Sequence, residues 1–202
     1  MRDFRWRLTE RVVADRVIGI IRAPSAETAV SYGRRLASAG LTAIEVSLST
    51  PDALSAVRTL ATGAFVGAGT VLDAAQAVMA IEAGARFLVC PTLSAGVIGA
   101  GHRHGVPVVA GASTPTEIVA ALEAGADLVK LFPAAQTSPE ALRDVLQALP
   151  QAPIVPTGGV SAATAPEWIA AGAVAVGMGG ELTRGEPEEA APRVRALLES
   201  LR

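Results

Sequence analysis

The sequence predicts a (β/α)8 barrel with an extra N-terminal helix, and three observations predict it. First, eight short β-like runs recur at intervals of roughly 20 to 25 residues, the length of a strand plus a crossover helix. Second, the runs are nearly continuous in apolar residues, the pattern of strands buried on both faces. Third, a small residue and a glycine often precede the next strand, at Ala39-Gly40, Ala83-Gly84, Ala124-Gly125 and Ala171-Gly172, with His104-Gly105 in the same slot. Glycine there takes the left-handed cap and turns the chain back into the sheet. A doubly wound open sheet is the structural competitor.

Taken in order, residues 2–14 read as a helix ahead of the first strand, closing the barrel bottom. The strands are expected at residues 17–22, 43–48, 65–70, 87–91, 106–113, 128–132, 154–157 and 174–178. Among the connectors, residues 25–38 begin with a serine and carry Glu27 in the first turn. Residues 115–122 lead into Gly125, and residues 138–149 open with Pro139 and Glu140, good first-turn residues. Glu186, Glu188 and Glu189 read as the solvated start of the last helix. No linker, second domain or low-complexity segment is visible, so residues 1–202 are expected to form one domain.

Composition narrows the function. Hydrophobic residues make up 50% of the chain and aromatic ones only 3%, so Ala, Val, Leu and Ile must build the core. The net charge of −2 and the lack of a basic stripe argue against a nucleic-acid partner. The lone cysteine, Cys90, excludes an internal disulfide framework and a multi-cysteine zinc site. No metal constellation is evident, and the chemistry below calls for no cofactor. Residues 1–15 carry charges throughout and lack the apolar centre of a signal peptide, and no apolar run has the length of a membrane span. A cytoplasmic protein without a membrane partner is the expectation.

Of the 17 lysines and arginines, one is lysine, Lys130. Arginine supplies charge well but cannot act as a neutral primary amine. Lys130 sits in the apolar run Leu128-Val129-Lys130-Leu131-Phe132, where desolvation lowers a lysine pKa toward neutrality. A neutral amine attacks a ketone to give a carbinolamine and then an imine, whose protonated form stabilises a neighbouring carbanion. The alternative is a strand lysine whose tip escapes to solvent.

The active site of a parallel barrel lies at the C-terminal ends of its strands. Glu45 is the one carboxylate well inside a strand run, a costly placement unless it faces a polar site. It is the candidate acid/base beside the amine, with an interior ion pair to Arg22 as the competing role. Arg22, at the end of the first strand, has the fork to bind a carboxylate or phosphate. Thr70 offers a hydroxyl to substrate or to the next helix as a cap. Pro91 ends the fourth strand, and Phe132 belongs to the apolar wall beside the lysine. Gly158-Gly159 and Gly179-Gly180 end the last two strands, where barrels often bind phosphate with backbone N–H groups. His102 and His104 flank a helix C-terminus and read as solvated or capping, and Cys90 reads as core.

Five motifs in order carry a family resemblance: Ile21-Arg22, Glu45-Val46, Gly67-Ala68-Gly69-Thr70-Val71, Lys130-Leu131-Phe132-Pro133 and Pro156-Thr157-Gly158-Gly159-Val160. The set resembles the 2-keto-3-deoxy-6-phosphogluconate / 4-hydroxy-2-oxoglutarate aldolase family, which includes the 6-phosphogalactonate aldolases. The resemblance spans almost the whole chain. It implies a class I, metal-independent aldehyde-lyase, usually a homotrimer, that cleaves a 2-keto-3-deoxy-6-phospho-sugar acid to pyruvate and glyceraldehyde 3-phosphate. By motif, Lys130 matches the Schiff-base lysine and Glu45 the general acid/base. Thr70 matches a contact to the pyruvate end, Arg22 a substrate-binding arginine of part of the family, and Gly158, Gly159 and Gly179 the phosphate loops.

Two departures bear on the substrate. Many phosphogluconate-type members carry a carboxylate-binding arginine four residues after the glutamate; here it is Ser49, a small polar residue as in the galactonate type. A serine commonly follows the glycine of the eighth strand; here it is Gly180, followed by the charged Glu181. An aldolase for an unphosphorylated 4-hydroxy-2-oxo acid, such as 4-hydroxy-2-oxoglutarate, is therefore an alternative. A phosphosugar isomerase or epimerase, or a non-catalytic phosphometabolite-binding barrel, stays open on the residues alone.

Overall fold

The computed structural model describes residues 4–184 and 187–201, with the backbone alone for residues 187–190; Glu186 lies outside the described residues. Eight parallel strands form one sheet in the order β7-β6-β5-β4-β3-β2-β1-β8. They are β1 Val17–Ile21, β2 Ala43–Ser47, β3 Phe65–Gly69, β4 Leu88–Val89, β5 Val108–Ala112, β6 Leu128–Leu131, β7 Ile154–Pro156 and β8 Val176–Met178. A bridge between Thr157 and Gly177 brings β7 to β8 and closes the barrel, which removes the open-sheet alternative.

The helices follow the expected order. They are α1 Arg5–Val13, α2 Ala26–Ser38, α3 Ala53–Leu60, α4 Ala74–Glu82, α5 Ala95–Arg103, α6 Pro115–Glu123, α7 Pro139–Ala148, α8 Ala165–Ala170, the short α9 Gly180–Thr183 and α10 Pro187–Ser200. Polar caps start five of them: Ser25, Asp73, Ser94, Thr114 and Ser138 each accept a first-turn amide, and Thr114 with Glu117 closes a full capping box. The five glycines anticipated as helix stops, Gly40, Gly84, Gly105, Gly125 and Gly172, all have positive φ.

Every strand is shorter than expected by at least one residue, β4 and β5 the most. The β5 ladder starts at Val108 because Pro107 has no N–H to give; its carbonyl still accepts from Leu88. The regular part of β4 is Leu88–Val89, although its flanks still pair, with Ala68 donating to Phe87 and Cys90 to Val109.

Alternation along each strand splits the core. Outward residues such as Ile44, Val46, Val66, Leu88, Val108, Val129, Ile154 and Val176 pack with the helices. Inward residues at the strand starts form a second cluster with Leu8 and Val12 of α1: Ile18, Ala43, Phe65, Phe87, Val89, Val109, Leu128, Val155 and Ala175. The N-terminal helix therefore plugs the barrel bottom. Arg5 fastens it to Asp127 at 2.5 Å, and the Asp127 carboxylate also accepts the Val108 amide. His102 belongs to this clamp, 3.2 Å from Asp127, rather than standing in solvent. No helix among the described residues is long and apolar enough to cross a membrane.

Candidate active site

The upper half of the barrel interior is lined by glycine. Register places Glu45 between Ile20 and Gly67, and Lys130 between Gly111 and Val155. A Cβ added to Gly69 would fall on the Glu45 carboxylate, one on Gly67 on the Phe87 ring, one on Gly111 on the Pro91 carbonyl, and one on Gly177 on the Thr157 hydroxyl. Glu45 therefore lies flat against bare backbone of β3. The space that polar groups occupy here exists because four neighbouring inward positions have no side chain.

Glu45 is 2% exposed and Lys130 is 7% exposed. Among the described residues they form no direct ion pair, but their charges act on each other. Burial pushes the Glu45 carboxyl above the ordinary carboxylate range, and the positive charges of Lys130 and then Arg22 oppose that shift without reversing it. A carboxyl in that state is suited to hold a proton and to give it up beside the amine. The Lys130 Nζ lies 4.9 Å from the centroid of the Phe132 ring, so that ring walls the amine as expected. Cys90, also buried nearby, has its thiol pushed up to about 12 by burial, which keeps it a thiol at neutral pH.

The rim follows from the loops. Arg22 is exposed at the end of β1 and has no hydrogen-bond or ion-pair partner among the described residues; the alternative of a direct Glu45–Arg22 pair is not what forms. The adjacent Ala23 amide donates to the buried Thr50 hydroxyl at 3.2 Å, which fixes the Arg22 loop against the loop after β2. Thr70 stands at φ 59, an uncommon conformation for a β-branched residue. It does not cap α4, whose cap is Asp73; its hydroxyl lies 2.8 Å from that of Ser47. Ser49 is exposed, and its hydroxyl is also 2.8 Å from Ser47. Pro91 passes its carbonyl over Gly111, closing the wall on that side.

Gly158 and Gly159 have φ of 84 and 92, and the Gly158 carbonyl accepts from Ala135 at 2.8 Å. Their amides donate to no acceptor among the described residues, which leaves N–H groups free for an anion. Phe132 borders Gly158 as well as Lys130, so one ring connects the amine to this loop. Gly179 stands at the N-cap of α9 and Gly180 is its first residue. Glu181, the charge expected beside a phosphate, instead accepts the Ala162 amide at 2.8 Å and ties the loop after β8 to the loop after β7. Sequence reasoning did not single out Ser47, Thr50 or Glu181 as a loop tie. The signal for Ser47 was its place two residues beyond Glu45, hence on the same inward face.

Comparisons with known proteins show the family of the chain. A family model described as "Aldolase: KDPG and KHG aldolase" matches residues 8–194. The chain is 37% identical over 160 residues to the 2-dehydro-3-deoxy-phosphogluconate aldolase of Treponema pallidum (strain Nichols), covering 77% of this chain and 76% of that one. It is 30% identical over 173 residues to the 2-dehydro-3-deoxy-6-phosphogalactonate aldolase of Escherichia coli (strain K12), covering 83% and 84%. A solved 4-hydroxy-2-oxoglutarate aldolase/2-deydro-3-deoxyphosphogluconate aldolase from TTHB1 superposes with a TM-score of 0.88 at 33% identity, covering 96% of this chain and 98% of that one.

Proposed function

The chain belongs to the KDPG and KHG aldolase family, and from that premise we propose that it cleaves a 2-keto-3-deoxy-6-phospho-sugar acid through an imine on Lys130. The observation that carries this reading is a buried carboxyl and the chain's one lysine, held together in the glycine-lined end of the barrel. The Lys130 Nζ adds to the C2 ketone. Glu45, directly or through a water, delivers a proton to the carbinolamine hydroxyl, which leaves as water and gives the protonated imine. Glu45 then takes the proton of the C4 hydroxyl. The C3–C4 bond breaks, its electron pair moves into the imine to form an enamine, and the C4 fragment leaves as glyceraldehyde 3-phosphate. Protonation at C3 and hydrolysis release pyruvate and the free lysine.

Around that core, Thr70 and Arg22 bind the carboxylate end of the substrate, with Ser49 at the rim. Pro91 and Phe132 form the walls. Gly158, Gly159, Gly179 and Gly180 receive the phosphate on backbone N–H groups, supported by the unpartnered amides of Gly158 and Gly159. Glu181, held by the Ala162 amide, ties the two phosphate loops to each other. We place the enzyme in the cytoplasm and, as the resemblance implies, assign it a homotrimer. The exposed apolar side chains Leu72, Met79 and Leu93, on and beside α4 and before α5, supply surface for contact between copies.

The test is borohydride reduction in the presence of pyruvate, followed by peptide mass mapping. Lys130 is the only side-chain amine, so a reduced adduct there establishes the imine. A folded protein without an adduct, beside a working control aldolase, refutes it. Light scattering of the purified protein checks the trimer.

A further inference from the structure

Ser47 is completely buried, on the strand that carries Glu45 and two residues beyond it, in register with Gly69. Its hydroxyl oxygen lies 2.8 Å from Ser49 Oγ and 2.8 Å from Thr70 Oγ1, and the Ser49 amide donates to it at 3.4 Å. The three hydroxyls run from an exposed serine, through a buried one, to a half-buried threonine held at φ 59.

A hydroxyl has one proton to give, so the order of donation in such a chain follows from its end. Resting on the reading above, in which Thr70 meets the substrate carboxylate, the Thr70 proton is committed to that anion. Thr70 must then accept from Ser47. Ser47, having given its proton to Thr70, must accept from Ser49, and it already accepts the Ser49 amide. The three O–H dipoles align head to tail, and each donor polarises the next. A left-handed β-branched residue holds its place only where its surroundings over-determine it, and the contact with Ser47 tethers the Thr70 side chain.

We propose that Ser47 is a positioning residue for the aldolase reaction: it fixes the Thr70 hydroxyl and, through the relay Ser49 to Ser47 to Thr70, aims its proton at the carboxylate of the 2-oxo acid. It touches no reacting atom itself. The relay serves binding of the carboxylate end rather than the imine chemistry, so its loss acts on affinity for pyruvate and not on the reactivity of Lys130.

The experiment measures borohydride trapping on Lys130 against pyruvate concentration in the full-length protein. Ser47→Ala should raise the half-saturating pyruvate by about tenfold and leave the limiting trapping rate near that of the parent. Ser47→Thr, which returns a hydroxyl to the strand, should restore affinity. In a Thr70→Val background, which keeps the β-branch at that position, Ser47→Ala should cost nothing further. An unchanged half-saturation in Ser47→Ala overturns the assignment. So does an equal tenfold loss in the Thr70→Val background, because Ser47 would then act by another route. Absence of trapping in the parent protein is a different failure: it removes the imine reading and this assignment with it.

Discussion

The two ends of one barrel interior are built on opposite terms. At the strand starts, Phe65 and Phe87 meet at 5.4 Å between ring centroids, branched aliphatics surround them, and Leu8 and Val12 of α1 close the opening. At the strand ends, the same inward rows continue as Gly67, Gly69, Gly111 and Gly177, and the side chains among them are Glu45, Ser47, Lys130 and Thr157, all buried. The bottom buries apolar area and stabilises the fold. The top leaves volume and accepts buried polar groups that cost stability. A few residues along each strand separate a packed core from a reaction chamber.

The strongest way to break that contrast is to remove the amine. Lys130→Arg keeps a cation in the same run but cannot form an imine, and cleavage should be abolished while the circular dichroism and thermal transition stay near those of the parent. Near-normal turnover would sink the assignment of the nucleophile.

At the other end, Phe87→Ala should cost about 3–5 kcal/mol of stability in chemical denaturation, since the ring is fully buried in the bottom cluster. Turnover per folded molecule should hold near the parent value at temperatures where the variant stays folded. A large fall in that turnover would mean that the two ends are mechanically coupled.

Glu45→Gln sharpens the comparison because its effects on rate and stability have opposite signs. Turnover should fall by a factor on the order of hundreds or more. Stability should rise. The folded-state pKa of Glu45 is raised, so the folded protein retains this proton to higher pH than the unfolded chain does. Ionising the buried carboxyl destabilises the fold, and that loss begins above the ordinary carboxylate range and is complete once the pH passes the raised value. The gain in Tm from Glu45→Gln should therefore be small at about pH 4, grow with pH, and reach a few degrees near neutrality. A variant less stable at neutral pH than at pH 4, relative to the parent, would contradict the buried-charge account.

Much of this architecture was legible before any coordinates. The eight runs, the glycine stops and the capping residues are local features, and each maps to one element within two residues or so, apart from β4. Lys130 and Glu45 stood out because a lone amine and a lone carboxylate in apolar strands carry a desolvation cost that local structure does not explain. The ties between loops were not legible. Thr50 to Ala23, Glu181 to Ala162 and Arg5 to Asp127 join residues 27, 19 and 122 positions apart. Nothing in the neighbourhood of either partner announces the other. His102 was misread for the same reason: its partner Asp127 belongs to another element.

The sequence by itself determined the barrel, its order of strands and helices, and the choice of Lys130 and Glu45 as the candidate pair, because periodicity, turn chemistry and the energetic cost of a buried charge all act over a few residues. The tertiary structure decided what surrounds that pair. Only pairing of the strands sets Gly69 beneath the Glu45 carboxylate, Phe132 between Lys130 and Gly158, and Ser47 between two hydroxyls from different loops. These are contacts across neighbouring strands, fixed by register and by the missing side chains of the inward glycines, and they come into being only when the barrel is assembled.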